Sequence, residues 1–239
     1  MNQEVFKRYE KKYKLSLDQY QELISRIITR LQPDQYGKHS ICNIYFDSRD
    51  YGMIRRSLEK PDYKEKIRLR GYGQPGPEDQ VFLELKKKFD GVVYKRRIPM
   101  RLSEARKYLY YGIRPGQHSQ ILDEIDYAIN FYQAHPAVYL AYERIAFSGK
   151  EDPELRVTFD MNIRARDYSL ELDKGSFGVP LLPRRELLME VKIPGAMPLW
   201  MSHVLSDLAI YPVSYSKYGT FYQEYMAERL MEQGGQICA

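Results

Sequence analysis

Lys64, Lys66, Arg68 and Arg70 occupy every second position of one short segment, with Glu65, Ile67 and Leu69 between them. Side chains of an extended strand alternate between faces, so the four cations share one face. The same alternation recurs along the chain. Arg8, Glu10, Lys12 and Lys14 lie opposite Tyr9 and Tyr13, and Glu84, Lys86 and Lys88 lie opposite Leu83 and Leu85. Arg156, Thr158 and Asp160 lie opposite Leu155, Val157 and Phe159; Glu186, Glu190 and Lys192 lie opposite Leu187, Met189 and Val191; Arg144 lies opposite Ile145 and Phe147. For any one segment an ordinary wet sheet face is a sufficient explanation. Together the segments ask for more, because like charges at adjacent positions repel and a solvated face usually mixes both signs. A polyanion lying against the cations removes the repulsion. Phosphate chains suit them, since Arg forks match phosphate oxygens and Lys supplies point charge.

The carboxylates on these faces, Glu10, Glu84, Asp160 and Glu190, have two open readings. One is charge balance for neighbouring cations. The other is a divalent metal: Mg²⁺ takes one or two carboxylates and completes its shell with phosphate oxygens and water, and Mn²⁺ uses similar ligands. His39, His118, His135 and His203 are dispersed and form no competing constellation. No GxxxxGK[ST] loop, no GxGxxG opening a helix and no GxSxG elbow is present. Cys42 and Cys238 cannot make a zinc site alone, and Cys42 reads as a small core residue.

The elements that must carry these residues follow from pattern. The chain has 239 residues, a formal net charge of +5, 44% hydrophobic residues and 22 tyrosines. That is a globular composition, and no linker or repeat divides it, so a single domain over 1–239 is expected. No apolar run approaches the length of a membrane span and the start has no apolar signal segment, so a reducing cytoplasm is the expected compartment, without direct membrane insertion. Strands are expected at 4–14, 40–47, 63–72, 80–88, 92–99, 137–147, 154–166 and 186–193, with Asp90-Gly91 turning a hairpin. Helices are expected at 16–31, 49–59, 103–112, 118–133, 198–208 and 217–233. The class is α+β on an antiparallel sheet, with the helices at 17–31, 118–133, 198–208 and 217–233 covering its apolar face. If about eight strands close into a barrel with the helices outside, the charged face becomes its lumen.

The ordered set RYEKKY (8–13), IYFDSRDYGMIRRSLEKPDYKEKIRLRGYG (44–73), FLELKKK (82–88), YERIAF (142–147), LRVTFD (155–160), LMEVKI (188–193) and SYSKYG (214–219) resembles the VTC domain. That domain is the polyphosphate polymerase module of the vacuolar transporter chaperone family, within the triphosphate tunnel metalloenzymes. The resemblance covers about residues 6–222, leaving a C-terminal helix to about 233. It implies a closed antiparallel β-barrel around a charged tunnel. The family's tunnel cations correspond to Lys12, Arg56, Arg68, Arg70, Lys86, Arg144, Arg156, Lys192 and Lys217, and its metal-binding glutamate to Glu190. Glu10 falls in the superfamily's first-strand acidic motif, where Arg8 replaces an acidic residue. Ser214 stands where the family has a lysine.

The resemblance implies a metal-dependent enzyme that uses Mn²⁺ or Mg²⁺ to move the γ-phosphoryl of ATP, or another nucleoside triphosphate, onto inorganic polyphosphate. In that reading Arg56, Lys66, Arg68, Arg70, Lys86, Arg144 and Arg156 grip phosphates. Glu190 holds the metal with Glu10 or Glu84, and Lys12, Lys192 and Lys217 steer the acceptor or leaving group. Two alternatives use the same face: a tripolyphosphatase or nucleoside triphosphatase, and a polyphosphate-binding module without turnover. Nucleic acid is not an expected partner, because the aromatics share strands with apolar residues and form no stacking platform. A membrane-associated protein partner is left open.

Overall fold

A computed structural model describes residues 9–90, 92–116 and 118–230. Arg8, Gly91, Cys238 and the end of the expected last helix lie outside the described residues. The chain divides into two compact units, one of residues 1–40, 142–163 and 182–215, the other of 41–141, 164–181 and 216–239.

The first unit is built on β1 (Tyr9–Ser16), β2 (Leu31–Pro33), the second half of β7 (His135–Gly149), most of β8 (Arg156–Arg166) and β10 (Glu186–Ile193). The antiparallel neighbours run β1-β10-β8-β7, with β2 on β7. The odd-numbered residues Tyr13, Leu15, Leu155, Val157, Phe159, Leu187, Met189 and Val191 form its core. Two helices cover that face. α1 (Leu17–Ile27) buries Leu23 and Ile27, and α5 (Leu199–Asp207) buries Met201 and Leu205. Ser16 starts α1 with a capping box: its hydroxyl accepts from Gln19 N–H at 3.1 Å, and the Gln19 side chain accepts from Ser16 N–H at 3.0 Å. The helix stops short of the expected end, because a 3₁₀ turn at Ile28–Arg30 hands Leu31 to β2.

The second unit pairs β3 (His39–Asp47), β4 (Tyr63–Tyr72), β5 (Gln80–Phe89) and β6 (Val92–Arg101) in that order, with the first half of β7 beside β3. The short β9 (Val179–Pro180) pairs the end of β8. Asp90 takes a left-handed φ of 43° at the β5–β6 turn, as an Asp-Gly hairpin requires. The core lies under Cys42, Ile44, Phe46, Ile67, Leu69, Leu83 and Leu85. It is covered by α3 (Leu102–Tyr111) and α4 (Gln120–Tyr132). α2 (Gly52–Leu58) follows β3, and Asp47 accepts from the N–H groups of Met53 and Ile54 at its start.

Two expectations change. The strands are antiparallel and carry helices, as expected, but their pairings run as open series: β1 pairs β10, β6 pairs β5, and the closed barrel is not among the observed ladders. The last helix also differs. α6 (Lys217–Phe221) continues through a π-turn at Tyr222–Met226. It sits on the charged side of β3, not the apolar side. Tyr218 donates to Asp47 at 2.9 Å and its ring lies 5.2 Å from Tyr45, two residues that face away from the core. The polar hydroxyl, satisfied by a buried carboxylate, selects that face.

Candidate functional site

In the first unit the register places Glu10 opposite Lys192, Lys12 opposite Glu190, Glu190 opposite Thr158 and Lys192 opposite Arg156. These residues therefore share the face turned away from the core. Lys12 Nζ stands 3.5 Å from Glu10 and 3.6 Å from Glu190, and donates to the Tyr215 carbonyl at 3.1 Å. Lys192 Nζ is 3.7 Å from Glu10. Arg144 grips Asp160 bidentately, Nε at 2.6 Å and Nη2 at 2.8 Å, and Nη2 lies 3.7 Å from Glu190. Asp160 and Glu190 are buried, whereas Arg156 is exposed. A cavity of about 340 Å³ opens beside this cluster, lined by Glu10, Lys11, Lys12 and Pro212 to Tyr215.

In the second unit β4, β5 and β6 put Lys64, Lys66, Arg68, Arg70, Lys86, Lys88, Lys95 and Arg97 on one face, with Glu84 as the carboxylate among them. Lys66 stands opposite Lys86, Lys64 opposite Lys88, and Lys86 opposite Lys95. Such pairs are destabilising unless an anion lies between them. Burial, then Lys88 and Lys60, push the Lys64 ammonium below its usual range. Glu84 is enclosed by cations: Arg68 Nε at 2.6 Å, Lys95 Nζ at 2.6 Å and Arg97 Nε at 3.4 Å. Burial alone raises its pKa, but Arg68, Arg70 and Lys95 outweigh it and hold the carboxyl at about 2.

Neutral groups aim these cations. Arg70, itself buried, donates to Asn43 Oδ1 at 2.9 Å, and Asn43 donates to the Leu140 carbonyl at 3.2 Å. Arg68 Nη1 donates to the Tyr45 hydroxyl at 3.3 Å. Burial raises the Tyr45 pKa, yet Arg68 and Lys66 more than reverse this and bring the phenol down to about 8. Lys66 Nζ reaches Ser216 at 3.5 Å, the residue that caps α6 and precedes Lys217. The unexpected side taken by α6 is what brings its capping residue, Ser216, to this face.

The structure thus gathers Glu10, Lys12, Arg144, Arg156, Glu190 and Lys192 in one cluster and Lys66, Arg68, Arg70, Glu84 and Lys86 in another, while Lys217 opens α6 next to Ser216, the residue Lys66 reaches. Arg56 is not gathered. It is exposed on α2, and its charge is felt by Tyr63 and Tyr132 around Glu65, on the α4-covered side of β4. Lys95, Arg97, Asn43 and Tyr45 join this face in addition to the expected residues. A signal for the first two was present: a two-residue turn at 90–91 sets Phe89 opposite Val92, which puts Glu84 opposite Arg97 and Lys86 opposite Lys95.

Among the described residues no group of three or more His, Cys, Asp or Glu is arranged to hold a metal ion. Glu10 and Glu190 nevertheless share one lysine and one face, a donor pair that fits a hard divalent ion drawing its remaining ligands from phosphate and water. Glu84, clasped by three cations, does not fit that role. Cys42 is buried, and burial pushes its thiol up to about 11, so it is unreactive at neutral pH. No helix of the described residues is long and apolar enough to cross a membrane.

Antiparallel strands that bear a cationic face and carry helices on the other define the architecture. The fold is shared with a crystal structure from Bacillus halodurans provisionally assigned as an adenylate cyclase, at a TM-score of 0.55 and 16% identity, over 87% of this chain and 92% of that one. Residues 7–225 match the family model of the VTC domain, and the chain belongs to that family. Subunit 4 of the vacuolar transporter chaperone complex from Trypanosoma cruzi is 24% identical over 213 residues, covering 70% of this chain and 27% of that protein. The corresponding Schizosaccharomyces pombe subunit is 25% identical over 146 residues, covering 52% of this chain and 20% of that protein. The chain thus spans about a quarter of the length of the curated relatives it matches.

Proposed function

We propose that this VTC-domain protein is a metal-dependent polyphosphate polymerase that transfers the γ-phosphoryl of ATP to a growing inorganic polyphosphate chain. The observation that carries the reading is the face of β4, β5 and β6, where Lys66, Lys86 and Lys95 oppose one another around a single glutamate. Such a face wants an extended polyanion, and family membership narrows the polyanion to phosphate. Because the family match, residues 7–225, takes in segments of both units, we treat 1–239 as one functional domain.

Phosphoryl transfer asks for positioning and charge neutralisation more than for covalent chemistry. Arg68, Arg70, Lys66 and Lys86 bind phosphate oxygens, with Glu84 as the counter-ion that keeps the Arg68 fork oriented. Arg144 and Arg156 bind the reacting phosphates, and Asp160 fixes the Arg144 plane. Lys12, Lys192 and Lys217 orient the acceptor or the leaving group. Glu190 and Glu10 hold the divalent cation, Mn²⁺ or Mg²⁺, which when bound neutralises phosphate charge. The free buried thiol of Cys42 suits a reducing cytoplasm.

The test is Glu190→Ala. The variant should stay folded, bind tripolyphosphate within a few-fold of wild type in chelator, and lose metal-dependent turnover of ATP. Unchanged turnover would remove Glu190 from the metal site. Absence of tripolyphosphate binding by the wild-type protein would remove the phosphate reading altogether.

A further inference from the structure

Thr158 is 6% exposed, and its hydroxyl is buried without a hydrogen-bond partner among the described residues. Buried hydroxyls are nearly always bonded, because one left unmet has lost water for nothing. Its position makes the omission informative. Thr158 lies directly opposite Glu190 and between Arg156 and Asp160 on β8, on the face that also bears Lys12 and Lys192. A β-branched residue suits a strand there, but valine would meet that need without a stranded hydroxyl. The hydroxyl is therefore not explained by packing within its own unit.

We propose that Thr158 is a substrate-binding residue whose hydroxyl donates a hydrogen bond to an oxygen of a bound phosphate chain. The inference rests on the phosphate reading above and adds a neutral, directional donor to it. Phosphate oxygens only accept hydrogen bonds, and the cations of this face already meet carboxylates: Lys12 meets Glu10 and Glu190, and Arg144 meets Asp160. A hydroxyl adds an oriented contact without adding charge, and from opposite Glu190 it fixes a phosphoryl group beside the metal-binding carboxylate. The side chains around it are long, so an arriving phosphate can draw them aside and uncover the oxygen.

The experiment is calorimetric titration of inorganic tripolyphosphate into wild type, Thr158→Val and Thr158→Ser, each in chelator and in Mn²⁺, with chemical denaturation of the ligand-free proteins. The expected result is roughly tenfold weaker binding for Thr158→Val in both conditions, as for loss of one hydrogen bond to a charged group. Thr158→Ser should stay within about threefold of wild type, since it keeps the donor. Ligand-free Thr158→Val should be at least as stable as wild type, because its isosteric methyl replaces an unmet polar atom. Three results would overturn the proposal. Unchanged affinity in Thr158→Val means that the hydroxyl does not touch phosphate. Lower ligand-free stability means that it already has a partner in the protein. A loss confined to Mn²⁺ means that it meets a metal-bound water instead. If wild type itself fails to bind tripolyphosphate, the phosphate reading fails and the inference falls with it, an outcome distinct from equal binding by wild type and Thr158→Val.

Discussion

Glu84→Gln isolates the electrostatic design of the second cluster, because it removes the carboxylate between Arg68, Lys95 and Arg97 while keeping side-chain volume. The folded protein holds this carboxyl at about 2, against an ordinary 4.5. That difference corresponds to on the order of 3 kcal/mol of folding free energy, in line with breaking a buried ion pair from one side. Because the folded pKa is depressed, the stabilisation is complete above about 4.5 and is lost as pH falls from there toward 2. Urea denaturation at neutral pH should find the variant less stable by about 3 kcal/mol. The gap should narrow through that acid window and vanish at its lower end. The same substitution deletes a negative charge from a cationic face, so the variant should bind tripolyphosphate more tightly than wild type even as it folds less stably. A variant as stable as wild type at neutral pH would refute the reasoning, as would a folded variant that binds tripolyphosphate more weakly.

Three further outcomes follow from the same geometry. The Tyr45 phenol, brought down to about 8, should ionise before most of the other tyrosines in an ultraviolet absorbance titration. Saturating tripolyphosphate should move it back upward by screening Arg68 and Lys66, and a titration indifferent to ligand would contradict the placement of phosphate there. Tyr218→Phe breaks the bond that seats α6 on the charged face, so thermal unfolding should report a loss of about 1–3 kcal/mol, with weaker tripolyphosphate binding from the displaced Ser216 and Lys217. Arg56→Ala should leave tripolyphosphate affinity within twofold of wild type, because Arg56 stands exposed on α2 and its charge is felt by Tyr63 and Tyr132 on the α4-covered side of β4; a tenfold loss would restore it to the site.

Period-two alternation made much of the fold readable. β4 and β10 begin and end where their Lys, Arg and Glu alternate with Ile, Leu, Met and Val, because a sheet with one apolar face leaves register little freedom. The Asp-Gly turn was equally plain, and followed outward it also locates Lys95 and Arg97. Tertiary choices were not readable in this way. The apolar residues of the last helix did not show which side of the sheet it would take, since its seat includes a hydroxyl-to-carboxylate bond from Tyr218 to Asp47 and a ring contact with Tyr45, residues distant in sequence. Arg56 entered the cationic set through the family resemblance alone, outside the strand alternation, and it stands exposed on a short helix. Glu84 looked like Glu190 in strand pattern. Their neighbours separate them: Glu84 meets three cations on β4 and β6, whereas Glu190 shares Lys12 with a second carboxylate.

The central claim is that these basic faces hold a phosphate chain and lengthen it. Incubation of the purified protein with ATP and Mn²⁺, followed by sizing of the phosphate products, tests it most directly. The account predicts a ladder of inorganic polyphosphate that grows with time, disappears with chelator and is absent with Glu190→Ala. Orthophosphate as the sole metal-dependent product would make the protein a hydrolase on the same residues, and no metal-dependent product at all, with saturable tripolyphosphate binding, would make it a binding module; either result contradicts the polymerase.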